Sequence, residues 1–477
     1  MKVPVEKNKE YIVDIIDYGA FGEGIAKVEN FTIFIPSALK GEKIKVLIVK
    51  VQSSHAFGKI VEILKKSKYR VEEDCNSYKR CGGCDLRHID YEETLNMKQE
   101  MVQNLVNKTL SQKPKIEKTI GMGNPYHYRN KAQYPLGLDK QKNPVMGVYA
   151  QRTHEIIPTS NCMIQSEISQ KIANYIFNYI KENKIPVYNE KTRKGVIRHI
   201  VTRVGFRSHE VMCILVTNTD GFQKEKELTK NLVENFPEIK TIVKNFNNKN
   251  TNVILGDRNI NLYGDGFIFD TLGDYTFKIS PNSFYQINPI QTEALYEIAL
   301  EKANLSKSDI LFDLYCGIGT IGIFAAKKVK KVYGIEIVEQ AIEDAKENAQ
   351  INEIHNIEFI AGDVEKTFET LMKKENVYPD VLVVDPPRKG LDITTIGNII
   401  AVEPKKLIYI SCNPATLVRD LKELEEKYEV KEIQPVDMFP FTHHCEVVTV
   451  LNLIGPNKVK IFNSCNDINL LYDMERT

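Results

Sequence analysis

The sequence carries almost no net charge, no apolar leader and no long apolar run. Its 477 residues set 64 Lys and Arg against 63 Asp and Glu, a formal charge of +1. A nucleic-acid role therefore cannot rest on overall charge and has to come from local basic patches. The opening MKVPVEKNKE lacks the apolar centre of a secretory signal, and no uncharged apolar stretch approaches the length that spans a bilayer. A cytoplasmic protein is expected. There its nine cysteines are poor candidates for disulfides, and a cluster among them reads as a metal or redox site. The remaining composition is that of a globular chain, 42% hydrophobic and 27% charged, long enough for about three domains.

From Tyr11 to Leu64 short apolar stretches alternate with glycine turns: YIVDII, the turn through Gly19, Gly22 and Gly24, then FTIFIP, EKIKVLIVKV and GKIVEIL. This spacing predicts a small β-barrel or sandwich over residues 1–64. GAFGEGIAKV and IPSALKGEKIKV resemble the TRAM domain, an OB-like RNA-binding barrel, and the resemblance implies RNA contact.

Lys65, Lys66, Lys68 and Arg70 lead into the densest cysteine group: Cys75, Cys81 after five residues, and Cys84 after two more. Gly82 and Gly83 let the backbone wrap closely around an ion or cluster. Cys162, in PTSNCMIQ, is the candidate fourth ligand, and four soft sulfurs are compatible with zinc or with an iron–sulfur cluster. Tyr91 to Leu110 has helical spacing without a breaker. Beyond it NPYHYRNKAQYP interleaves Tyr126, Tyr128 and Tyr134 with His127, Arg129 and Lys131, a pattern that pairs base stacking with phosphate neutralisation. A second basic group, Lys191, Arg193, Lys194, Arg198, His199 and Arg203, precedes the strand pattern VMCILVT. The two patches suggest an RNA-facing surface on a central α+β domain, residues 65–275.

From about Leu311 strands and helices alternate, which predicts a parallel sheet with helices on both faces, a Rossmann-like α/β domain over residues 276–455. ILFDLY runs into Cys316-Gly317-Ile318-Gly319-Thr320-Ile321-Gly322, a G-x-G-x-x-G turn where a ligand approaches the backbone. Glu336, nineteen positions after Gly317, is suited to accept the two hydroxyls of a ribose. NAD and S-adenosylmethionine both carry that group. Asp363, ending IEFIAGD and suited to an adenine amino group, and Asp385-Pro386-Pro387-Arg388 favour S-adenosylmethionine. Asp and two prolines also mark amine methyltransferases, which place an aromatic residue where this chain has Arg388.

LIYISCNPATLVRDL puts Cys412 at the carboxyl end of a buried strand, before a Pro-containing turn and a helix. A thiol at that edge is placed for nucleophilic attack. Amine methylation has no use for it, but methylation of a pyrimidine carbon does. Carbon 5 of uracil is too weak a nucleophile until a thiolate has added to carbon 6, and a base must afterwards remove the carbon-5 proton so that the thiolate leaves. Glu446, opening the apolar β run of PFTHHCEVVTVLNLI, is a candidate base, and His443 and His444 compete with it. Apolar neighbours would raise the Glu446 pKa towards the working pH.

SPNSFYQIN, DLYCGIGTIG, GIE, DPPRKGL, SCNPATLVRDL and FPFTHHCE, in this order from about Tyr11 to Ile454 together with the TRAM-like start and the cysteine group, resemble the RNA 5-methyluridine methyltransferase family and its 23S ribosomal RNA members. The resemblance implies Cys412 as nucleophile, Glu446 as proton acceptor, and Gln286, Tyr315, Glu336 and Asp385 as S-adenosylmethionine contacts, with Asp363 a further one. It also implies Cys75, Cys81, Cys84 and Cys162 as ligands of a [4Fe-4S] cluster, and 23S rRNA as the partner, with no membrane and no obligate protein partner. A tRNA uracil-5 methyltransferase, an amine methyltransferase and a non-catalytic RNA-binding redox factor are the alternatives. Residues 456–477 extend past the family pattern.

Overall fold

The structure, a computed structural model, describes residues 3–151, 153–374 and 376–455. The carboxyl-terminal tail singled out above lies outside the described residues. The chain folds as two compact units. One comprises the chain up to Asn104, Glu117–Ala294 and Pro435–Cys445; the other comprises Leu105–Ile116, Leu295–Gln434 and the chain from Glu446 onward. None of the described helices is long and apolar enough to cross a membrane.

The first unit begins with a six-stranded sheet in the order Glu10–Asp14, Lys43–Val51, His55–Lys65, Phe31–Ile35, Gly24–Val28 and Asp17–Tyr18. Alternation makes these strands: in KIKVLIVKV, Ile44, Val46 and Ile48 turn inward onto Ile33 and Ile35, while Lys45 and Leu47 between them stay half-exposed. Glu42, fully buried, closes the same region as an ion pair. It takes Arg70 on both oxygens, at 2.6 and 2.9 Å, and the Leu39 amide at 2.9 Å.

A seven-stranded mixed sheet follows, ordered Ile156–Pro158, Pro144–Tyr149, Lys131–Leu138, Ile197–Val204, Val211–Thr217, Ile239–Phe246 and Arg258–Tyr263. The helix Glu167–Glu182 lays Ile172, Ala173, Ile176 and Ile180 against it, and Glu225–Asn235 adds Leu228 and Leu232. Helical spacing of those apolar positions is what turns one face of each helix to the sheet. The predicted helix from Tyr91 is present as Tyr91–Thr109.

The second unit is built on an eight-stranded sheet: Ile357–Ala361, Lys331–Glu336, Ile310–Leu314, Val381–Val384, Lys406–Ser411, Glu446–Leu453, Tyr428–Val436 and Lys115–Ile116. The first five strands are parallel, as the alternating pattern required. Glu446–Leu453, expected from the sequence only as an apolar β run, returns antiparallel to Lys406–Ser411. A continuous apolar run reads the same in either direction, so the sequence did not carry the strand's sense.

Candidate active site

The order of the five parallel strands reverses beside Ile310–Leu314: the chain moves outward through Lys331–Glu336 and Ile357–Ala361, then crosses to Val381–Val384 and Lys406–Ser411. A switch of that kind opens a crevice beyond the carboxyl ends. Tyr315, Glu336, Asp363, Asp385 and Cys412 all lie at or just past those ends. The antiparallel strand brings Glu446 to the same edge from the opposite direction. Ser411 is paired with Val447, so continuing the register by one residue sets Cys412 across from Glu446.

The Cys412 turn is fixed from both sides. Ser411 Oγ donates to the Asn413 carbonyl and accepts from the Asn413 amide, both at 3.1 Å. The Asn413 side chain caps the helix Pro414–Leu424 by accepting from the Ala415 amide at 3.1 Å, which suits a residue that starts a helix with Pro at its first position. The DPPRKG loop is tied to that turn: the Arg388 carbonyl accepts from Asn413 Nδ2 at 3.1 Å and Thr416 Oγ1 at 3.3 Å. Asp420, wholly buried, accepts from Tyr409 at 2.6 Å and from the Leu391 amide at 2.9 Å. Its neighbour Arg419 holds the Lys389 and Leu391 carbonyls at 2.9 and 3.1 Å. Gly390 has φ +78°, and a Cβ there would lie 2.6 Å from the Asp420 carboxylate, so a larger residue would break the tie.

Acidic groups gather at this edge. Glu446 is 3% exposed; burial, then the Asp385 charge, raise its carboxyl to about 8 against the opposing pull of Arg388. Burial raises Asp385 to about 7. Cys412 is half-buried, and burial followed by the charges of Glu446 and Asp385 lift its thiol to about 11, again opposed by Arg388. Beneath them Asp313, fully buried, accepts from the Gly322 amide at 2.9 Å and is raised to about 8 by burial and, less, by Asp385 and Glu336. Asp313 and the Asp420 tie escaped the sequence reading. A lone acid inside the apolar run ILFDLY was the available signal for the first.

Around the glycine turn, Glu336 accepts the Gly317 amide at 3.2 Å and the Val338 amide at 3.0 Å. Gly317 has φ +55°, and a Cβ built on it meets nothing within 4 Å, so the turn borders open space. Ile337 and Val338 stand exposed beside Glu336. Tyr315, at φ +67°, bonds Thr395 through its hydroxyl and feels the charges of Asp392, Glu365 and Asp363. Asp363 caps the next helix through the Lys366 amide at 3.2 Å. Gln286 belongs to the first unit, where its carbonyl accepts from Asn130 Nδ2 at 2.8 Å.

Cys75, Cys81, Cys84 and Cys162 are free and half-buried in the first unit. Burial raises Cys81, with Cys162 and Cys75 adding to it, and raises Cys84 to about 12, with Cys162 and Cys81 adding. The Gly83 amide donates to Cys81 Sγ at 3.2 Å. Cys81 thus feels Cys75, Cys84 and Cys162, although no three Cys, His, Asp or Glu among the described residues form a group that could hold a metal ion. His443 is bonded through Nδ1 to Asp85 at 2.7 Å. The expected stacking tyrosines are corrected in part: Tyr128 and Tyr134 are buried, Tyr134 within the core under helix Glu167–Glu182. Tyr126 is engaged by Asp74 at 3.1 Å and by the Arg87 guanidinium over its ring.

Comparison with known proteins agrees with this layout. The family model described as tRNA (Uracil-5-)-methyltransferase matches residues 90–453, and the TRAM domain model matches residues 4–61. An uncharacterized RNA methyltransferase of Oceanobacillus iheyensis is 45% identical over 95% of this chain and 98% of its own. Another, from Clostridium acetobutylicum, is 46% identical over 95% and 99%. The crystal structure of Pyrococcus abyssi tRNA (uracil-54, C5)-methyltransferase in complex with S-adenosyl-L-homocysteine matches with a TM-score of 0.74 at 26% identity, over 92% of this chain and 100% of that one. With that family model spanning most of its length and relatives 45% and 46% identical over nearly their whole length, the chain belongs to the tRNA (uracil-5-)-methyltransferase family of RNA methyltransferases and carries a TRAM domain ahead of it.

Proposed function

We propose that this protein methylates carbon 5 of a uridine in 23S rRNA, with Cys412 as nucleophile and Glu446 as base. The observation that carries the reading is the register of the two antiparallel strands, which sets the thiol and the buried carboxyl across from each other at one sheet edge. Cys412 adds to carbon 6 of the uracil, so that the ring's electrons are pushed onto carbon 5. Arg388 is the cation that favours the thiolate, and its loop is held to the Cys412 turn through its own carbonyl. Once carbon 5 is methylated, Glu446 takes the proton from it, and the bond between sulfur and carbon 6 breaks. A carboxyl raised to about 8 holds that proton far better than an exposed glutamate. His443, tied to Asp85, is the weaker candidate.

S-adenosylmethionine, when bound, supplies the electrophilic methyl group. Glu336 fits its ribose, Asp363 and the exposed Ile337 fit its adenine, and Tyr315 and Asp385 complete the proposed contacts of the second unit; the open space at Gly317 is what a backbone-hugging ligand requires. Cys75, Cys81, Cys84 and Cys162 would hold a [4Fe-4S] cluster. Four free, half-buried thiols are donors of the type that group takes. An anaerobic absorption spectrum with iron and sulfide assay tests it.

The likeness to the Pyrococcus abyssi enzyme named for tRNA uracil-54 favours tRNA as the second reading. Purified protein given radiolabelled S-adenosylmethionine and, separately, rRNA and tRNA decides between them. Nucleoside mass spectrometry should find 5-methyluridine in 23S rRNA; label confined to tRNA would move the substrate, and label on an amine would sink the thiol chemistry.

A further inference from the structure

The two basic stretches of the first unit, far apart in sequence, meet across one pair of strands. Lys131 is the direct cross-strand partner of Arg203, and directly opposed residues share a face of the sheet, where like charges repel. Arg129 adds a third positive charge that acts on Lys131. No carboxylate is among the charges acting on Lys131, and Arg129 Nε meets no hydrogen-bond partner among the described residues. Burial and the two guanidinium groups together drive the Lys131 ammonium down to about 7. Elsewhere in the same unit buried cations are neutralised, as Arg70 is by Glu42 and Lys98 by Asp437.

The chain beside this cation group is built in rather than draped over it. Arg203 Nη2 donates to the Ser283 carbonyl at 2.5 Å, the Asn130 amide donates to the Ile287 carbonyl at 2.9 Å, and Asn130 Nδ2 to the Gln286 carbonyl at 2.8 Å. Between those anchors Phe284 is left 68% exposed, a large apolar ring in a segment otherwise stitched down. Cations crowded on one face and a bare ring a few residues away are the two halves of single-stranded nucleic-acid binding.

We infer that Lys131, Arg203 and Arg129 seat a backbone phosphate of the substrate RNA, and that Phe284 stacks on an unpaired base next to it. The inference rests on the reading of the protein as an RNA methyltransferase and adds the place where the strand is gripped.

The full-length protein is titrated into a fluorescein-labelled, uridine-containing single-stranded RNA at a series of KCl concentrations, followed by fluorescence anisotropy. At pH 6, where Lys131 is protonated, Lys131→Met should reduce the slope of log affinity against log salt by about one, to a similar extent for RNAs of different sequence. Phe284→Ala should weaken binding by roughly 5- to 100-fold while leaving the slope in place. Lys131→Met relieves repulsion in the free protein, so its thermal midpoint should stay level or rise; Lys131→Arg should restore the slope. An unchanged slope in a folded Lys131→Met protein, or full affinity in a folded Phe284→Ala protein, overturns the seat. Methyl transfer run in parallel separates the two claims: activity with an unmoved slope removes the seat alone, whereas a slope that responds in a protein that never methylates RNA removes the enzyme reading alone.

Discussion

Two regions of this molecule carry charges that a stability argument alone would have removed, and they are opposite in sign. At the sheet edge of the second unit, Asp313, Asp385 and Glu446 are buried acids whose pKa values rise to between about 7 and 8. On the strand pair of the first unit, Lys131 is a cation set against Arg203 and Arg129. Against both stand ordinary buried charges: Glu42 gripped by Arg70, and Asp437 held by Lys98 and, at 2.6 Å, by the Tyr91 hydroxyl. Neutralised pairs hold the fold together, whereas like charges crowded together mark places that wait for something from outside. In one region that is a reaction with a proton to move; in the other it is an anion.

The contrast breaks most visibly at Cys412. Cys412→Ala should lower methyl transfer by more than roughly 10⁴-fold, since removing a covalent nucleophile leaves only binding and positioning. It should also abolish the denaturation-resistant adduct formed with 5-fluorouridine RNA, without lowering the thermal midpoint. A variant that still methylates at the wild-type rate would end the covalent proposal. Glu446→Gln should lose about 10²- to 10⁴-fold in kcat and accumulate covalent RNA on ordinary substrate, seen as a retarded band on a denaturing gel. Free turnover would assign the base elsewhere. The contrasting prediction concerns a satisfied pair: Lys98→Met strands Asp437 in the interior and should cost about 3–5 kcal/mol of stability, read by urea denaturation. If Lys98→Met proved as harmless as Lys131→Met, the distinction between paired and crowded charges would fail.

The distinction also governs what could be read from the sequence. The strand ends were legible because the alternating pattern places polar residues just after apolar runs, and a parallel sheet gathers those ends at one edge; Glu336, Asp363, Asp385 and Cys412 all came that way. The facing of Cys412 and Glu446 was not legible, because it depends on the antiparallel return of a strand that is apolar throughout. The meeting of Lys131 with Arg203 is likewise a property of register. Interleaving showed the aromatic and basic residues of NPYHYRNKAQYP, but not that the strand begins only at Lys131 or that a helix covers the face of Tyr134. The aromatic ring left outside, Phe284, sat in a stretch noticed only for Gln286.

The smallest expected effect tests the acid edge without touching the chemistry. Asp313 has a folded pKa near 8 against an ordinary value of 3.8, so the folded state holds its proton where the unfolded chain has released it. A raised carboxyl contributes stability that is fully present below about pH 4 and is lost as pH rises through about 8. Glu446 and Asp385 add in the same sense, and the thermal midpoint of the wild-type protein should therefore fall between pH 5 and pH 9. Asp313→Asn keeps an oxygen to accept the Gly322 amide and removes one of the three titrations. Its advantage over wild type should grow from pH 5 to pH 8, reaching a few kcal/mol, or several degrees in the midpoint. A wild-type midpoint flat across that range, or an Asp313→Asn advantage that shrinks as pH rises, would mean that the edge is neutralised within the folded chain, and the contrast with the paired charges would disappear on the acidic side.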